Sequence, residues 1–228
     1  MRYALGLAIF VALLPVGHAA PAFTHPRAIT NQYLPLGTLK QDILESRTGE
    51  RVQRTVMPGA RTFTVYGKAV KALIVEDRES VKGQTTEVTL DYFAQDDAGA
   101  VYYLGEDVDQ YRNGKVVGHE GAWLLGRDTD RPGVLMPAHP TVGSRFKSED
   151  VPKVTTENDE VVSTTATAKV NGRLYRNCLR IKETTADGVE YKLYAPGVGV
   201  IQEGDGPDAV RLVRHTGTGK RSGAGPHR

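Results

Sequence analysis

"DYFAQDDAGAVYYLGEDVDQYRNGKVVGHEGAWLL", residues 91–125, carries strand-like runs rich in Val and Tyr, broken at "DDAG" (96–99) and at "NG" (113–114). Asn-Gly between two such runs is the strongest short hairpin signal, because a type I′ turn needs positive φ at both of its central residues. A two-residue loop at Asn113-Gly114 predicts that Val108 faces His119, Asp107 faces Glu120, Leu104 faces Trp123 and Tyr102 faces Leu125. Since side chains alternate across a strand, one face is expected to carry Tyr102, Leu104, Glu106, Val108, Val117, His119 and Trp123. The other is expected to carry Tyr103, Asp107, Asp109, Tyr111, Val116 and Glu120.

Outward from this hairpin the pattern repeats. "RVQRTVM", "TFTVYGKAVKALIV", "EVVSTTATAKV", "RLYRNCLRIKE" and "VEYKLYAPGVGVIQ" are rich in Val, Thr and Tyr, and short turns separate most neighbours. Helical periodicity is nearly absent; "TLKQDILES" (38–46) offers only Leu39, Ile43 and Leu44. Turns this short leave no room for helical crossovers, which excludes a doubly wound parallel sheet and predicts a mainly β, curved antiparallel meander sheet or half-barrel with little helix. The connection 126–146 is read as a loop pinned by Val134, Leu135 and Met136, and "YAPGVGV" as one strand kinked by proline and glycine.

The ends have a different character. Arg2, the apolar run "YALGLAIFVALLPV" and the small residues "GHAA" have the order of a secretory signal peptide over residues 1–20. That run is too short to span a bilayer as a helix, and nothing later is comparably apolar, so no transmembrane segment is expected in the mature chain. Residues 21–30 are read as an N-terminal arm, 31–214 as a single β-rich domain, and 215–228, "HTGTGKRSGAGPHR", as a disordered basic Gly-rich tail. Removing the charges of Arg2, Lys220, Arg221 and Arg228 turns the formal +2 of the whole chain into −2 for residues 21–214. A mildly acidic body argues against a nucleic-acid partner. A single cysteine cannot form an internal disulfide, and the lack of any Asn-x-Ser/Thr sequon favours a bacterial origin, with export to the periplasm or the medium.

"DYFAQDDAGAVYYLGEDVDQY", "HEGAWLLG", "PGVLMPAHPTVGSRF" and "YKLYAPGVGVIQE" occur in the same order as the landmarks of a family of bacterial secreted and envelope β-rich proteins, which the chain resembles over roughly residues 30–203. The resemblance implies a half-barrel sheet, calycin-like or LolA-like in general shape. It carries no activity and no functional residues with it.

Three functions compete for the residues of the central hairpin. The leading expectation is an exported non-catalytic module that binds an apolar or amphipathic small ligand on the concave face, lined by Tyr102, Leu104, Val108, Val117 and Trp123, since pockets are mostly apolar with a few placed polar groups. The first alternative is a hydrolase or isomerase with His119 as base and Glu106 as its orienting carboxylate. The second is a calcium-stabilised adhesion or scaffold protein, with Asp91, Asp107, Asp109 and Glu120 on one face; like charges across a strand pair repel unless something positive intervenes, a cation or a Lys or Arg from a neighbouring strand.

Cys178 has the same two-sided reading. Arg176 and Arg180 flank it at two-residue spacing and would lower the pKa of a nucleophilic thiol, whereas the plain reading is a small core residue opposite Pro196 or Gly197. The turn "TADGV" (185–189) admits either a two-residue or a three-residue closure. No phosphate loop, dinucleotide fingerprint, nucleophile elbow or His-Glu-x-x-His zinc motif occurs, and no cofactor is expected.

Overall fold

A computed structural model of the chain describes residues 20–217; the proposed signal segment up to residue 19 and the tail from 218 lie outside the described residues. Fifteen strands follow a single 3-10 turn (Leu36–Thr38): β1 (Leu39–Glu45), β2 (Glu50–Val56), β3 (Arg61–Val65), β4 (Lys68–Val81), β5 (Gln84–Gln95), β6 (Val101–Arg112), β7 (Lys115–Gly118) and β8 (Trp123–Leu124) in the first part. The second part holds β9 (Gly133–Met136), β10 (Arg145–Val151), β11 (Thr155–Val170), β12 (Arg173–Thr184), β13 (Val189–Ala195), β14 (Gly199–Glu203) and β15 (Val210–Gly217). All are antiparallel, in the order β10-β11-β12-β13-β14-β15-β1-β2-β4-β5-β6-β7, with β3 on β4 and both β8 and β9 on β6. The sheet is a meander cut once, so that β15 joins β1 and the chain's two halves become one surface. Among the described residues no helix is long and apolar enough to cross a membrane.

The sheet curls around its own core. One apolar cluster gathers Leu44 of β1, Val75 of β4, Phe93 of β5, Trp123, Met136 of β9, Val151 of β10, Val161 of β11, Ile181 of β12 and Leu212 of β15, residues that meet only if the strands wrap around them. The ladder is not closed into a barrel. Its two ends approach where a Cβ built on Gly133 of β9 would lie 1.7 Å from the Ser148 carbonyl oxygen of β10, so only glycine allows the contact. A second, smaller cluster covers the outer face: Phe63, Val65, Val70 and Ala72 of the β3–β4 hairpin pack on Tyr92, Tyr102, Leu104 and Leu124. The arm joins that layer through Phe23, edge-on to Tyr102 with ring centroids 5.4 Å apart, and through Thr24, which donates from Nα and Oγ1 to Asp97 at 2.7 Å.

The connection expected to be a loop at 126–146 instead contains β9, whose Val134 pairs with Tyr102 and whose Met136 is fully buried. Its apolar trio does more than anchor it: three consecutive apolar residues after Gly133 suit a strand with both faces covered. "YAPGVG" is likewise not one kinked strand. Val198 donates to the Ala195 carbonyl at 3.1 Å and Gly197 has φ +70°, so Pro196-Gly197 forms a turn between β13 and β14. Residues 215–217, expected to belong to the tail, instead belong to β15, which runs to Gly217, and the His215 imidazole meets the buried Asp42 carboxylate at 2.7 Å.

Candidate functional site

The Asn113-Gly114 turn has the expected conformation, φ +53° and +72°, and the first pairs follow, Arg112 with Lys115 and Tyr111 with Val116. Beyond them the register slips. Gln110 pairs with Gly118, and Trp123 pairs with Glu106 rather than with Leu104. A second irregularity, in the β5–β6 pairing between Asp91↔Glu106 and Phe93↔Tyr103, falls at Gly105, whose φ is +124°. This bulge re-sets the alternation of β6. Tyr103 and Glu106 therefore both point inward, while Leu104 and Asp107 both point outward.

Together the two irregularities overturn the expected faces. Tyr102 and Leu104 belong to the outer cluster, Trp123 to the inner core, Val108 is buried, and Val117 is 58 % exposed. None of the five lines the interior cavity. His119 does not pair with Glu106: its exposed imidazole lies 3.0 Å from Asp109 and 2.8 Å from the Val108 carbonyl, because the slip carries it past the hairpin's edge. The four acids expected on one face are also dispersed. Asp91 is buried inside; Asp107 is outside, bound by Arg61 and by the Tyr92 hydroxyl at 2.6 Å each; Asp109 meets His119; and Glu120 is exposed in the turn after β7. Arg61 of β3 answers the charge on Asp107, a positive partner supplied by the chain itself.

The interior holds a cavity of about 220 Å³ between the apolar core and a belt of ionisable side chains. Its apolar wall includes Leu34, Leu36, Phe93, Leu135 and Val200; its polar wall includes Arg54, Asp77, Asp91, Glu149, Glu157, Lys192 and Glu203. Most of these polar residues sit on a strand at two-residue spacing from an apolar one, as in Val75-Asp77, Asp91-Phe93, Glu149-Val151 and Lys192-Tyr194, so the same inward face changes from apolar to charged along the strand.

Two cations stand within this belt, and both are engaged. Arg54 grips Asp77 through Nε at 3.0 Å and a terminal nitrogen at 2.6 Å, with Glu203 at 3.6 Å. Lys192 bonds Glu183 at 2.8 Å. Asp91, Glu149 and Glu157 have no cation within ion-pair distance among the described residues, and Glu149 shares a hydrogen bond with the Glu106 carboxyl group. The Tyr103 hydroxyl donates to Asp91 at 2.5 Å, Trp123 Nε1 and Thr155 Oγ1 to Glu149 at 3.0 and 2.5 Å, and Ser148 Oγ to Glu157 at 2.6 Å.

Burial raises the proton affinity of much of this belt. Desolvation, reinforced by Asp77, lifts Asp91; desolvation, reinforced by Asp91 and Glu149, lifts Glu106 strongly. Desolvation pushes Glu183 up to about 8 against the pull of Lys192, and Asp159 and Glu79 up to about 7. Glu157, Asp159 and Glu183 bring carboxylate oxygens within 4.8 Å of one another, an oxygen-only set of the type hard cations accept. Lys192, seated on Glu183, supplies a positive charge there from the chain itself.

Cys178 is fully buried in the core and pairs with Ala166 of β11, not with Pro196 or Gly197. The β12–β13 turn is longer than either expected closure, since Thr184 pairs with Val189. Arg180 is drawn to Asp205 and over the Tyr191 ring, and burial raises the thiol pKa, so no activated nucleophile exists at this position. Neither a family model, nor a curated protein, nor a solved structure matches the chain.

Proposed function

We propose that this chain is an exported, non-catalytic module that binds one small amphipathic ligand in the cavity enclosed by its curved sheet. The observation that supports the reading is the divided wall of that cavity: Phe93, Leu135 and Val200 offer an apolar surface beside placed polar groups, the composition of a binding pocket. A volume of about 220 Å³ corresponds to about seven waters at liquid density, room for a small organic molecule and not for a lipid chain. An apolar ligand alone would leave Asp91, Glu149 and Glu157 without a counter-charge, which favours the amphipathic class of the two expected from the sequence.

Trp123 is the only tryptophan and its indole is bonded to Glu149, a cavity residue, so its fluorescence reports on the site. Titration with a panel of small amphiphiles is expected to give a saturable change with at least one of them, abolished by Leu135→Trp read through calorimetry. A panel without effect on Trp123, combined with an unchanged melting temperature, refutes the reading. Export is tested separately by fractionating cells that express the full chain and sequencing the mature N-terminus, expected near Pro21. Retention of residues 1–20 in a cytoplasmic product refutes it.

A further inference from the structure

We infer that the ligand of this cavity is an organic cation: an amine whose ammonium group is received by Asp91, Glu149 and Glu157, and whose hydrocarbon part lies against Phe93 and Leu135. The inference rests on the ligand-binding reading and adds the charge and class of the ligand.

Charge accounting around the cavity carries it. Five carboxylates line the space, Asp77, Asp91, Glu149, Glu157 and Glu203, against two cations, Arg54 and Lys192. Arg54 is committed to Asp77, with Glu203 next to it, and Lys192 to a further acid, Glu183. Among the described residues no cation comes within ion-pair distance of Asp91, Glu149 or Glu157, whose partners are hydroxyls, an indole and, for Glu149, the Glu106 carboxyl group. Carboxylates withdrawn from water need either a proton or a counter-charge. Burial beside Asp77 already raises the proton affinity of Asp91. A cationic ligand would provide the counter-charge, whereas a carboxylate or phosphate ligand would add to the repulsion.

The apolar wall separates an amine from a bare metal ion. An ion would occupy a small fraction of about 220 Å³ and would leave Phe93 and Leu135 facing water, while an ammonium on a short hydrocarbon body satisfies both walls. The aromatic rings of Phe93 and Tyr103 add surfaces that attract a cation.

The test compares three probes of one shape by calorimetry at pH 8, with Trp123 fluorescence as a second readout: 2-phenylethylamine, 2-phenylethanol and 3-phenylpropanoate. The amine is expected to bind at least about tenfold more tightly than the alcohol, and the carboxylate not measurably. Glu149→Gln with Glu157→Gln is expected to remove the preference for the amine; Glu157→Gln alone, whose oxygen still accepts from Ser148, is expected to weaken it and serves if the double variant does not fold. Equal binding of amine and alcohol overturns the cationic class while leaving a ligand site in place. Binding of other amphiphiles without any binding of the amine overturns it as well. Displacement of the amine by calcium chloride at equal ionic strength to a sodium chloride control would identify the site as a metal site and also overturn it.

Discussion

The indole Nε1 of Trp123 donates a 3.0 Å hydrogen bond to the carboxylate of Glu149, and this bond ties β8, on the β6 side of the sheet, to β10 at its opposite end. Tyr103 packs edge-on against the same indole at 5.3 Å, so Trp123 is held from both sides. Replacing it by Phe removes the donor and part of the packed volume. A loss of roughly 2 kcal/mol is expected from urea denaturation followed by far-UV dichroism. Glu149→Gln, which keeps an acceptor oxygen, should lose less. A cost for Trp123→Phe within experimental error of zero would show that the two ends of the sheet are not joined through this contact.

Glycine has unequal importance along this chain. A Cβ on Gly105 would come 2.4 Å from the Trp123 carbonyl oxygen, at a φ of +124° that L-residues rarely adopt. Gly105→Ala is therefore expected to destabilise by more than about 3 kcal/mol and to disturb the inward placement of Glu106. Gly114→Ala has open space and a φ of +72°, so only the backbone preference is lost, about 1 kcal/mol. Similar costs for the two variants would contradict the bulge at position 105.

The acid-rich interior makes stability depend on pH in an unusual direction. Glu79, Asp159 and Glu183 rise from ordinary values of 4.5, 3.8 and 4.5 to about 7, 7 and 8, so the folded chain holds protons that the unfolded chain has released. Their favourable contribution is complete below about pH 4 and is lost as pH climbs through 7 and 8. His215, whose pKa is raised by its bond to Asp42, acts in the same sense, its contribution fading above its folded value. The melting temperature is expected to be higher at pH 5 than at pH 8, and Asp159→Asn combined with Glu183→Gln should flatten the slope. A melting temperature that rises between those values would rule this out.

Asp42 is almost wholly buried, and among the described residues its one partner within ion-pair distance is His215. His215→Ala leaves the carboxylate desolvated without its donor, and a loss of about 2 kcal/mol is expected near pH 6. An unchanged denaturation midpoint would place residue 215 in the tail after all.

Cys178 offers a direct check of core integrity. Its thiol is fully buried and unactivated, so labelling by a neutral disulfide reagent at pH 7.5 should be slow in the folded protein and complete within minutes in urea. Rapid labelling under native conditions would mean that β12 opens readily.

The fold was legible because the strand signals and the Asn113-Gly114 turn are local, and local rules suffice for a meander. The faces of the central hairpin were not, because two irregularities, at Val117 and Gly105, each move side chains from one face to the other; Val117 carries no local signal of a bulge, and a glycine in a strand signals one without giving its register. Tyr103 and Glu106 show the consequence: three positions apart, they share one side. The ionised interior had a sequence signal of its own. Glu157, Asp159 and Val161 alternate along β11, as do Glu183, Ile181 and Leu179 along β12, and acids that continue an apolar two-residue period point inward with it. What no local rule supplies is that acids from β4, β5, β10, β11 and β14 converge on a single space, which depends on the order of strands around the curl.

Gly133 and Ser148 define a seam. Across it the backbones touch, yet among the described residues no main-chain ladder crosses it, so prying the two margins apart sacrifices the bonds of Trp123 and Glu106 to Glu149 and some packing, whereas parting neighbouring strands elsewhere ruptures a series of amide bonds. The molecule thus behaves as a clasp with one weak fastening. Amide exchange should be quickest along β10 beside that slit.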